Sequence, residues 1–103
     1  MRHELDQENF YAAIDVSLDI IDDHPHSILA DTLAILLAYV WDTSKSADLS
    51  DTIPFLEIRA QQLIFDLIIG RAMHGRPTNH PRRDELIQQA ILIMQRPSSI
   101  LLN

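Results

Sequence analysis

No cysteine occurs among the 103 residues, which excludes disulfides and thiolate metal sites and gives no sign of an oxidising compartment. Only two glycines are present, Gly70 and Gly75, and neither is followed by Lys-Ser or Lys-Thr, so there is no phosphate-cradling loop. Serines stand outside any nucleophile-elbow context. Long apolar runs are missing as well. Leu33 to Trp41 and Leu63 to Ile69 are too short, or too interrupted by Asp66 and Gly70, to span a bilayer. Met1 to Asn9 is polar and acidic rather than a secretory leader. A soluble, cytoplasmic protein without membrane contact is expected.

Basic residues are scarce in one half of the chain. Residues 1 to 52 carry eleven carboxylates against Arg2 and Lys45, a net −9; residues 53 to 103 carry six arginines against Glu57, Asp66, Asp84 and Glu85, a net +2. The formal total of −7 argues against nonspecific attraction to DNA or anionic lipid. The only metal-like cluster is Asp22, Asp23, His24 and His26. Its histidines are two apart across Pro25, whereas helical zinc pairs stand four apart. Helix capping and solvation explain these residues, and no metal or cofactor is expected. The carboxylates lie on an outer face where nothing raises their pKa, so no catalytic residue is assigned and an enzyme is not expected.

The remaining pattern is helical. A hydrophobic fraction of 47% supplies a single core, and apolar residues recur at helical spacing with no strand-like alternation. The punctuation predicts an all-α, compact four-helix bundle-like single domain with helices near 6–22, 25–43, 53–74 and 81–96 and an apolar tail over 98–103. Asp6 is the expected cap of the first helix. Pro25, Pro54 and Pro81 are expected in the first turns of the other three. Gly75 and Pro77 should stop the third, and Gly70 within it should permit close helix packing.

Three surfaces carry information. Helix 1 places Phe10, Ala13, Ile14, Ser17 and Ile21 on one face and Glu4, Glu8, Asp15, Asp19 and Asp22 opposite, with no basic residue of its own three or four positions from the last three. This acidic stripe reads either as a solvated face or as a docking strip for a basic partner. Helices 2 and 3 each show two apolar faces. A helix apolar nearly all round is buried on more than one side, so Ile28, Ile35, Tyr39, Ile58, Phe65 and Ile69 are the candidate partner-binding residues, through homodimerisation or another protein. Trp41 is expected in the core. Arg71, Arg76, Arg82 and Arg83 around the helix 3–4 connection either neutralise the acidic stripe or form a weak anion-binding cluster.

The function expected from these surfaces is noncatalytic: a small acidic protein-binding regulator, inhibitor or adaptor acting through an apolar helical surface and the helix 1 stripe. Two alternatives stand beside it, a structural subunit of a larger assembly and a nucleic-acid or nucleotide-binding module using the arginine cluster. Direct nucleic-acid binding is disfavoured by the absence of a dense basic footprint.

Overall fold

In a computed structural model, residues 6–42 and 57–95 are described, and they form four helices: α1 (Gln7–Asp23), α2 (Ile28–Trp41), α3 (Ile58–His74) and α4 (Arg83–Met94). Among the described residues there is no strand, and no helix is long and apolar enough to cross a membrane.

Local chemistry sets the helix ends. At α1 the Asp6 carboxylate accepts the Asn9 N–H at 2.8 Å, the expected cap. The start of α2 differs from expectation. Pro25 lies in a turn before the helix, and Ser27 is the cap: its backbone is extended and its hydroxyl accepts from the Ala30 N–H at 3.0 Å while donating to the His24 carbonyl at 2.9 Å. A serine that satisfies an orphan N–H outcompetes a proline whose only asset is a preset φ.

The start of α3 also moves. Glu57 is extended, with ψ 159°, and α3 begins at Ile58; the start expected at residue 53 and Pro54 lie outside the described residues, as do Glu4 and the apolar tail. Gly75 closes α3 at φ 77° with its N–H bonded to the Arg71 carbonyl, and Pro77 follows. Before α4 the Arg82 N–H is taken by the His80 ring rather than by a cap inside the helix, so Pro81 sits in the preceding turn and the helix proper starts at Arg83. Asp84 and Glu85 occupy its first turn, complementing the positive helix end.

The core forms around α2, which packs against α1, α3 and α4. Leu33, Leu36, Leu37 and Val40 meet Phe10, Ile14 and Leu18 of α1, Ile64 and Leu67 of α3 and Leu86 of α4. The α1 face is the expected one, with Phe10, Ala13, Ile14 and Ser17 buried and Ile21 half-buried. The Ser17 hydroxyl returns to the Ala13 carbonyl at 2.8 Å, which lets a polar side chain sit in the core. Trp41 is half-buried against the same cluster.

Gly70 allows α1 and α3 to approach closely, because a Cβ there would overlap the Phe10 ring. Gly70→Ala gains helix propensity worth about 1 kcal/mol but overpacks a rigid ring, a cost of about 1–3 kcal/mol. A net loss of stability in urea denaturation is expected. In a Phe10→Ala background, which removes Cγ and the ring, the added cost of Gly70→Ala should be smaller than in the wild type.

Candidate functional site

The helix 1 stripe receives its missing cation from α4. Arg82, immediately before α4, reaches Asp19 at 2.8 Å, Asp22 at 3.6 Å, Asp15 at 3.8 Å and Glu85 at 2.8 Å. Its guanidinium also donates to the Asp15 carbonyl at 3.3 Å. Hydrogen bonding to Glu85 first, and to Asp19 after it, raises the Arg82 pKa further above its ordinary value, and the same contact with Arg82 lowers that of Glu85. One guanidinium cannot neutralise four carboxylates. The stripe therefore remains strongly negative, with Asp19 and Asp22 mostly exposed.

His80 anchors the same junction from inside. Its side chain is fully buried; Nδ1 accepts the Arg82 N–H at 2.9 Å, which leaves the ring proton on Nε2, 3.2 Å from both the Tyr11 carbonyl and the Asp15 carboxylate. The Tyr11 ring packs edge-on against it at 4.9 Å. Both ring nitrogens are engaged in holding α1 to the start of α4, so the Asp15–His80 pair is a structural tie. Its importance is not legible from sequence, because Asp15 and His80 are brought together only by the fold.

Arg71 and Arg76 do different work. α2 ends without a basic residue of its own, and its terminal carbonyls lack helical partners. Arg71 donates through Nε to the Val40 carbonyl at 2.6 Å, and Arg76 to the Trp41 carbonyl at 2.7 Å with its guanidinium 5.1 Å from the Trp41 ring centroid. Arg83 donates to the Thr78 carbonyl at 3.2 Å and remains largely exposed. The four arginines are thus dispersed over the end of α2, the α1 stripe and the solvent, and do not converge on one anion pocket. Among the described residues no group of His, Asp or Glu forms a metal-binding cluster.

The apolar candidates divide between two environments. Ile35 and Tyr39 of α2 are half-buried, and Tyr39 packs on the core, whereas Ile28 is exposed at the start of the helix. On α3 the face of Ala60, Ile64 and Leu67 is buried while the opposite face is open: Ile58 is 75% exposed, Phe65 48% and Ile69 41%, with Met73 extending the row. Beside this row an open groove of about 320 Å³ runs between α1 and α3, floored by Val16, Ile20, Leu29, Ala60 and Leu63 and rimmed by Arg59 and Asp66. Burial pushes the Asp66 carboxyl above its ordinary pKa. Val16 and Met73 belong to this surface and were not anticipated; Met73, four residues beyond Ile69, continued a visible helical row.

No family model, curated protein or solved structure matches this chain.

Two predictions concern charge. Arg82→Met should destabilise the fold by about 1 kcal/mol at low ionic strength, since each partly exposed ion pair contributes only a fraction of that. A lowered Glu85 pKa supplies stability above the unfolded value of about 4.3 that is lost as pH falls through the folded value, so the variant's acid limb should be flatter in pH-dependent denaturation. Asp66 has the opposite sign. Its raised pKa costs stability when ionised, so in the dilute, unassociated chain Asp66→Asn should raise Tm at neutral pH, and the gain should vanish in acid once both side chains are neutral.

Proposed function

We propose that the protein is a noncatalytic, cytoplasmic protein-binding regulator, inhibitor or adaptor that docks through the outer face of α3, with the α1 carboxylates steering a basic partner surface. The observation that carries this reading is the row Ile58, Phe65, Ile69 and Met73, apolar and open on a helix whose other face is already buried. An exposed row of large side chains costs solubility and marks an interaction surface. Helical apolar rows dock into grooves or against other helices through anchors at this spacing. The net negative stripe beside Arg82 adds long-range attraction for cationic surfaces, which raises association rate more than affinity.

The acidic stripe also has a structural duty, which changes how it is tested. Asp15 and Asp19 hold Arg82 and His80, so lysines at those positions disturb the α1–α4 junction along with any docking. Ionic strength is the cleaner probe of steering.

Native co-purification of the tagged chain from its source cells, quantified by mass spectrometry against a Phe65→Asp/Ile69→Asp variant, tests the reading. A stoichiometric protein retained by the wild type and lost by a variant of equal helicity is expected, with an association rate that falls as salt rises. Equal retention by both chains would remove α3 as the docking face.

A further inference from the structure

We infer that the occupant of the α3 face is a second copy of this chain, docked antiparallel through α3 about a two-fold axis. This rests on the reading of α3 as a docking face and assigns that face its occupant; the basic surface drawn by the α1 carboxylates belongs to a different molecule. The exposed residues Ile58, Gln62, Phe65, Ile69 and Ala72 are spaced four, three, four and three apart, the a/d seam of a two-helix coiled coil, with Gln62 as its one polar member. Such a seam requires holes for its knobs. A hole consists of residues i, i+3, i+4 and i+7 of the facing helix, and a depression of about 410 Å³ is lined by Ile58, Gln61, Gln62 and Phe65, with Asp66 at its edge. The partner's Phe65 fits this hole when the helices run in opposite directions about an axis between Leu63 and Ile64. The same register sets Ile58 against the partner's Ile69.

Charge selects the direction. Arg59 and Asp66 each follow a d position, on one flank of the seam and seven residues apart, and neither has an ion-pair or hydrogen-bond partner among the described residues. Reversing one helix places these flanks together, so that Arg59 meets the partner's Asp66 and Asp66 meets the partner's Arg59. One two-fold operation satisfies both pairs. A parallel pair places each such flank against positions preceding an a residue, Gln61 and Ile68, and leaves both charges unpaired. It also aligns the helix dipoles unfavourably.

Sedimentation equilibrium of the full chain across the micromolar range tests this. The wild type should be a concentration-dependent dimer. Arg59→Asp or Asp66→Arg alone converts two attractions into two repulsions and should weaken dimerisation about tenfold. Mixing the two variants should restore affinity and give a heterodimer in native mass spectrometry, while Phe65→Asp should leave monomer with unchanged helicity. A wild type monomeric throughout overturns the inference, as do charge variants that dimerise like the wild type or fail to recover on mixing. If the wild type is monomeric but its heterologous partner is still lost on Phe65→Asp/Ile69→Asp, the docking reading survives without the second copy. If both dimer and partner retention survive those substitutions, both fall.

Discussion

A helix apolar on nearly every side must be surrounded, and α2 imposes that requirement on the whole chain. Leu33, Leu37 and Val40 have no exposure, and Leu36 and Ala38 almost none. Covering them takes α1, α3 and α4 together. With three helices committed to one, none is left among the described elements to cover the far side of α3. The exposed row on α3 is thus a consequence of how α2 is satisfied, and the surface proposed for docking follows from the core.

The charge asymmetry of the sequence has a matching role. Helices α1 and α2 have no basic residue in their last turns, and α1 ends on Asp22 and Asp23, where the helix dipole is already negative. The second half supplies the cations: Arg82 to the α1 carboxylates, Arg71 and Arg76 to the last carbonyls of α2. Opposite charge in the two halves is therefore partly internal complementarity. It holds each helix of the first half to an element of the second, with His80 buried at the tightest of these junctions. What remains outward is an excess of carboxylate on α1 and an apolar row on α3, two surfaces of different character on adjacent helices.

Much of this was legible in the residues. Four helices, the Asp6 cap, the Gly75 stop, the α1 core face and the close approach at Gly70 all follow from local pattern and appear in the structure. The starts of α2, α3 and α4 were less legible. Proline marks the neighbourhood of a helix start, whereas the residue that satisfies the first N–H groups sets the boundary, and Ser27 does so two residues after the beginning anticipated at Pro25. Periodicity found two apolar faces on both α2 and α3 but carries no information on which neighbour covers which face. Tertiary packing covers most of α2 and leaves α3 open. Likewise, sequence placed four arginines near one connection, and only the fold shows that they point to three separate destinations.

The central claim is that the apolar faces of α2 are covered largely within the chain, whereas of the two apolar faces of α3 only the inner one is. Backbone amide NMR shifts followed through a dilution series test it directly. Concentration-dependent shifts confined to the outer positions of α3, from Ile58 to Met73, with α2 unchanged, are the predicted result. Shifts centred on α2, or none on either helix at any concentration and none on α3 when a retained partner is added, would contradict it.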